Sequence, residues 1–140
     1  MYTRILVPID LSEVEMTRKG IAVALQIACI EKAQLRIVNV QELTPFAFAE
    51  YVPVNLEVLL REDLETMLIN VAKQVDYPKE LVSTALRFGR IYDEVLEEAS
   101  AWGADLIVVA SHPERSTYLV GSNADNIVQH ASCSVLVTRC

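Results

Sequence analysis

The chain has 140 residues, 52% of them hydrophobic, and a formal net charge of −7. That length and apolar content predict one folded domain over residues 1–140 with a full core, and argue against a disordered chain. The acidic balance argues against a nucleic-acid binder, which needs clustered Lys and Arg to neutralise phosphates.

In chain order, "RILVPID" (4–10) is a largely β-branched and apolar run and predicts a fully buried first strand. Its apolar run is too short for a signal-peptide core and Asp10 interrupts it. No stretch approaches the roughly 18 apolar residues of a membrane helix. A cytoplasmic protein without membrane contact is expected. Ser12 to Glu15 reads S-x-x-E, a capping-box pattern. The helix it opens carries Val14, Ile21, Leu25 and Ala28 on one face, with Gly20 as a weak spot.

"QLRIVNV" (34–40) predicts the second strand, and residues 41–53, with two prolines and three aromatics, an irregular loop. A helical period returns with Leu56, Leu59, Leu60, Leu64, Met67, Val71 and Val75. After Pro78, Val82, Thr84 and Leu86 alternate with Leu81, Ser83 and Ala85 in a third strand that Gly89 closes. Ile91, Val95, Leu96, Ala99 and Trp102 share one side of a third helix, which Gly103 stops. "ADLIVVAS" (104–111) is the most apolar strand; Ala124–Ala131 predicts a short fourth helix and "CSVLVTR" (133–139) a fifth strand. Strands alternating with helices predict parallel βαβ units with helices on both faces.

Cys29, Cys133 and Cys140 are odd in number and lack CxxC spacing, so neither a disulfide framework nor a zinc site is indicated. Cys29 and Cys133 are expected to be buried small hydrophobes.

In open parallel sheets ligands bind beyond the carboxyl ends of the strands, where the strand order reverses. Two such ends stand out: Pro8-Ile9-Asp10, and Ala110-Ser111-His112 with the loop that leads to Gly121-Ser122-Asn123. A helix start offers unpaired N–H groups and partial positive charge, and Gly121 lets a ligand approach the backbone. The alternative is an ordinary N-cap at Ser122 or Asn123 after an ordinary turn glycine. The tripeptide alone favours that alternative; the ten residues from Ser111 to Val120, placed after a buried strand, shift the balance to a site. Asp125 in the first turn competes with phosphate for the same positive field unless a metal ion intervenes.

Arg115 is the arginine of that loop, either reaching phosphates or simply exposed. Asp10 can accept hydrogen bonds from a base or ribose, or stabilise the following helix as a first-turn aspartate. No P-loop motif occurs, and no Lys lies between Ala104 and Cys140. No G-x-G-x-x-G occurs, so NAD is not expected. Phe88-Gly89-Arg90 after the third strand and the lack of a late Lys disfavour a phosphoryl receiver; flavin is not expected either. Ser111 and His112 have no third triad member. His130 reads as structural. Asp93, Glu94, Glu97 and Glu98 fall on a solvated helix face and carry no chemistry.

Beyond these features, "ILVPID-S", "FGRIYDEVLEEASAWGADLIVVASH" and "TYLVGSNADNIVQHASCSVLV" resemble the universal stress protein family over the whole length, closest to its F/G-type branch. The resemblance implies a three-layer α/β/α, Rossmann-like fold of the adenine-nucleotide alpha-hydrolase type, with a five-stranded parallel sheet of order 3-2-1-4-5. It implies ATP, carried with Mg, as ligand. Pro8, Ile9, Asp10 and Val40 would line the adenine and ribose end. Ala110, Ser111 and His112 would border the ribose and first phosphates, and Gly121, Ser122 and Asn123 would hold the outer ones.

Nucleotide-binding members carry glycine, two residues, glycine, nine residues, then glycine and a small hydroxyl residue. Here Gly121-Ser122 is kept, the earlier glycines are Ala110 and Pro113, and seven residues separate Pro113 from Gly121. Pro113 has no N–H for a phosphate. The family also implies a homodimer through the last strand, higher oligomers built on it, and a client protein the sequence does not identify. An apolar edge strand without proline fits such pairing. The expected function is a nucleotide-dependent stress regulator with at most slow hydrolysis or self-phosphorylation, Ser122 being one acceptor. The alternative is a nucleotide-free dimeric interaction protein.

Overall fold

The computed structural model describes residues 1–42, 54–111 and 122–139. Its elements run β1 (Arg4–Ile9), α1 (Val14–Glu31), β2 (Gln34–Gln41), α2 (Val54–Lys73), a 3-10 turn (Lys79–Leu81), β3 (Val82–Phe88), α3 (Ile91–Trp102), β4 (Leu106–Ser111), α4 (Ser122–His130) and β5 (Ser134–Arg139). The five strands form one sheet in the order β3-β2-β1-β4-β5, every adjacent pair parallel. The architecture is the one expected.

The central strands are apolar on successive residues because both of their faces are covered. Ile5, Val7 and Ile9 of β1 turn towards α1 and α2, in one cluster with Ile21, Ala24, Ala28 and Leu68. Leu6 turns the other way and joins Val38, Val40, Val95, Ala99, Ile107, Ala124 and Ile127 between the sheet and α3 and α4. Fully burying each such Leu, Ile or Val contributes roughly 1.5–3 kcal/mol, so two cores on one sheet provide the main drive to fold.

Turn chemistry sets the ends. Gly103 caps α3 with φ of 80°, and the N–H groups of Gly103 and Ala104 both reach the Ala99 carbonyl. Lys32 ends α1 in the same left-handed region, at φ of 53°. The Tyr77 hydroxyl helps hold that strained turn by donating to the Ala33 carbonyl at 2.7 Å. Burial, together with nearby Cys29, pushes the Tyr77 hydroxyl pKa up and keeps it a donor.

Four expectations fail locally. The capping box does not form: Glu13 is the N-cap and makes no side-chain cap bond, while the Ser12 hydroxyl turns back to Asp10. Val14 and Cys29 are exposed, because the buried stripe of α1 runs through Gly20, Ile21, Ala24 and Ala28. On α2, Leu59, Leu60 and Met67 are exposed and Leu68 is the buried residue. That helix lies over the β2–β3 side of the sheet, so a narrow stripe meets it. Glu98 is buried rather than solvated. It bridges Arg36 (3.1 Å) and Arg87 (2.9 Å), and Arg36 also stacks on Trp102.

Candidate functional site

Strand β1 pairs with β2 over its whole length, from Arg4↔Gln34 to Ile9↔Asn39, but with β4 only at Ile5↔Leu106 and Leu6↔Ile107. The cause is in the sequence. The Arg4 carbonyl accepts from the Asp105 N–H, so β1 residues of even number turn their backbone groups to β4. The next in that series after Leu6 is Pro8, which has no N–H to give. The ladder therefore stops short of the carboxyl ends of β1 and β4, and the crevice that open parallel sheets form at a switch point falls between these ends. This is the point where strand order reverses, since β2 lies on one side of β1 and β4 on the other.

At the amino end the same two strands are tied shut. The Asp105 carboxylate accepts from the Thr3 N–H (2.8 Å), the Thr3 hydroxyl (2.8 Å) and the Arg4 N–H (3.0 Å). Partial burial raises its pKa, but these hydrogen bonds outweigh burial and hold it below the usual aspartate value.

Asp10 stands at the lip of the crevice, exposed and firmly held. Its Oδ1 accepts from the Ser12 N–H at 2.9 Å and the Ser12 hydroxyl at 2.6 Å. Its backbone carbonyl accepts from the Glu13 N–H and the Thr17 hydroxyl, each at 3.0 Å. Among the described residues no hydrogen bond reaches Oδ2, which leaves one acceptor oxygen in a fixed direction. Asp10 thus orders the start of α1 through a turn, as one of its two readings expects.

Strand alternation sorts the other candidates. Val40, 9% exposed, belongs to the core on the α3–α4 side. Ile9 packs on the α1–α2 side, and Ala110 faces Gly20 of α1. Those two therefore offer a site their backbone rather than their side chains. Ser111 is buried at the end of β4. Ala124, the residue after Asn123, is buried in the same cluster as Val40 and Val109, which sets the first turn of α4 beside these strand ends. The Asp125 carboxylate accepts from Gln129 at 3.0 Å, further along α4. Pro8, Ile9, Asp10, Val40, Ala110, Ser111, Ser122 and Asn123 thus come from elements that meet at one end of the sheet. His112, Arg115 and Gly121 lie outside the described residues, as does Pro113.

The sequence reading passed over Asn39 and Gln41. Asn39 is only 2% exposed, and its amide donates to the Ile9 carbonyl at 2.9 Å. The available signal was a polar residue between Val38 and Val40 in a buried strand. Elsewhere, an open groove of about 390 Å³ lies at the opposite end of the sheet, lined by Ala99, Gly103, Ile107, His130, Ala131 and Cys133 among others. None of the residues expected from the sequence to hold a ligand lines it. Burial pushes the Cys133 thiol pKa up there. Among the described residues no group of three or more His, Cys, Asp or Glu is placed to hold a metal ion, and no helix is long and apolar enough to cross a membrane.

Residues 1–139 match the family described as "Universal stress protein family". Universal stress protein G of Escherichia coli O157:H7 is 31% identical over 144 aligned positions, covering 99% of this chain and 100% of that protein. The solved structure of hypothetical protein MJ0577 superposes with a TM-score of 0.80 at 22% identity, covering 100% of this chain and 97% of that one. A universal stress protein solved in complex with cAMP gives 0.72 at 22% identity, covering 98% and 97%. At such identities the structural likeness establishes the fold.

Proposed function

Because the chain belongs to the universal stress protein family, we propose that it binds ATP in the crevice between β1 and β4 and acts as a nucleotide-dependent stress regulator in the cytoplasm. The observation that carries this reading is the early end of β1–β4 pairing, opposite a carboxylate held with one free oxygen. Asp10 Oδ2 would accept from a ribose hydroxyl, with Pro8 and Val40 along the adenine. The small Ala110 and the backbone at Ser111 would leave room for the first phosphates. N–H groups at the start of α4, at Ser122 and Asn123, would meet the outer phosphates, with His112, Arg115 and Gly121 completing that end. Mg²⁺ would arrive on the triphosphate and not in a protein cage. One structural neighbour was solved in complex with cAMP, an adenine nucleotide, which supports the ligand class.

The same reading includes a homodimer. Strand β5 is at the sheet edge, with Val135, Leu136, Val137 and Thr138 half-buried and no proline, so its open side suits an antiparallel copy of itself.

Calorimetric titration with ATP and Mg²⁺ tests the proposal. Saturable binding that Gly121→Val abolishes supports it; no saturable heat at millimolar ATP refutes it. A second reading, a dimeric interaction protein without nucleotide, is favoured by Pro113, which offers no N–H to phosphate. Under it, Gly121→Val leaves partner binding unchanged.

A further inference from the structure

A buried amide is costly unless both of its ends are paired. Asn39 meets that condition with partners at two strand ends. Its Nδ2 donates to the Ile9 carbonyl at 2.9 Å, and its Oδ1 accepts from Gln41 Nε2 at 2.7 Å. The Gln41 carbonyl in turn accepts from the Gly89 N–H at 2.9 Å, just past the end of β3. A hydrogen-bonded chain thus runs across the carboxyl ends of β1, β2 and β3.

Its place relative to Asp10 is specific. Ile9↔Asn39 is the last paired position of β1 with β2. On the other side of β1 the ladder has already ended at Leu6↔Ile107. The Ile9 carbonyl and the Asp10 N–H belong to one planar peptide unit. Holding that carbonyl therefore orients the Asp10 backbone, and with it the direction of the carboxylate. Downstream, Ser12, Glu13 and Thr17 grip Asp10 from the α1 side. Asn39 supplies the grip from upstream.

We infer that Asn39, supported by Gln41, is a positioning residue for the nucleoside end of the crevice, acting through the Ile9 carbonyl on Asp10; this rests on the nucleotide-binding reading above. Asn39 shares the α1–α2 side of β2 with Leu35 and Ile37, so its effect passes through the backbone of β1. The backbone ladder from Arg4 to Ile9 already joins β1 to β2. A side-chain tie placed at the last residue adds to the direction of the tip more than to the cohesion of the sheet.

The experiment compares wild type, Asn39→Leu and Gln41→Leu in calorimetric titrations with three probes: ATP with Mg²⁺, adenosine, and inorganic triphosphate with Mg²⁺. Amide hydrogen exchange is followed in the unliganded proteins. In Asn39→Leu, affinity for ATP and for adenosine falls by the same factor, on the order of tenfold for one lost buried hydrogen bond, while triphosphate binding holds. Gln41→Leu shows the same pattern at about threefold, because it removes only the support of Asn39. Exchange quickens at Leu11, Ser12 and Glu13 while Leu6, Val38 and Ile107 stay protected.

ATP and adenosine affinities within about twofold of wild type, or an equal loss for all three probes, overturn the inference. If Asn39→Leu does not fold, Gln41→Leu carries the test by the same criteria. If wild type takes up none of the probes, the ATP reading fails by itself. Exchange at Leu11–Glu13 then decides the role of Asn39, faster exchange supporting it and unchanged exchange overturning it.

Discussion

The Asp10 carboxylate takes two hydrogen bonds from Ser12 through a single oxygen, at 2.9 Å from the N–H and 2.6 Å from the hydroxyl. The hydroxyl bond is to a charged acceptor, and the pair fixes where the second oxygen points. Ser12→Ala keeps the N–H bond and loses the hydroxyl bond. ATP affinity is expected to fall about threefold, and to fall tenfold or more, roughly, in Asp10→Ala, which removes the acceptor itself. Titration calorimetry on the two variants reads both effects. Equal affinities for wild type and Asp10→Ala would remove Asp10 from the site.

Gly20 lies inside α1, where glycine costs roughly 0.5–1 kcal/mol relative to alanine. A β-carbon there would sit 3.6 Å from the Ala110 side chain and 3.8 Å from Val7, ordinary packing distances. Gly20→Ala is therefore expected to stabilise the protein by about 0.5–1 kcal/mol in urea unfolding. A drop in the urea midpoint would mean that the α1–β4 contact is tighter than these distances allow.

Glu98 joins Arg36 and Arg87 beneath α3, and each arginine is only about a quarter exposed. Burial lowers the Arg87 pKa, but its hydrogen bond to Glu98 and the charges of Glu94, Glu98 and Glu97 outweigh that, so the guanidinium stays charged. Glu98→Ala would remove the carboxylate that both arginines share, leaving Arg87 with Glu94 and Glu97 and Arg36 with Ser83 and Trp102. We expect a loss of about 2–3 kcal/mol, below the usual cost of breaking a fully buried pair because both arginines reach some water. Arg18→Ala, which breaks an exposed pair with Glu15, should cost less than about 0.5 kcal/mol. Chemical denaturation of the two variants makes the comparison.

Asp105 closes the amino ends of β1 and β4 with its hydrogen bonds to Thr3 and Arg4. Its carboxyl is held below the usual aspartate value in the folded protein, so the folded state favours the ionised form. The stabilisation is fully present above the unfolded value of about 3.9 and is lost as pH falls through the lower folded value. Asp105→Ala should cost about 1–2 kcal/mol at neutral pH, and the gap to wild type should close on acidification below about pH 4. A gap that is independent of pH would assign the effect to packing instead.

The sheet was legible in the sequence because its central strands are apolar on consecutive residues and its helices carry a regular period. The strand order was legible only through family resemblance, since periodicity does not say which strands are neighbours. What failed were local readings that depend on tertiary neighbours. The Ser12 hydroxyl donates to the Asp10 carboxylate instead of accepting from an N–H at the start of α1. Leu59, Leu60 and Met67 had no sheet beneath them, and Glu98 had two arginines waiting on β2 and β3. Of the candidate site, Asp10, Ala110 and Ser111 were legible as strand ends, and Val40 only through the family resemblance. Pro8 was read as part of a strand, but its effect on the β4 ladder depends on which neighbour the missing N–H would have faced. Asn39 was passed over because an asparagine flanked by valines looks like an interruption until its partner, the Ile9 carbonyl, is seen.

We propose that ATP binds at the carboxyl ends of β1 and β4, beyond the last paired position Leu6↔Ile107. Titrating isotopically labelled protein with ATP and Mg²⁺ while following backbone amide shifts tests it most directly. With ATP bound there, the largest saturable shifts are expected at Ile9–Ser12, Val40–Gln41, Ala110–Ser111 and Asn123–Ala124. Shifts confined to the groove at the other end of the sheet, around Gly103 and Ala131–Cys133, or no shifts at millimolar ATP, would contradict it.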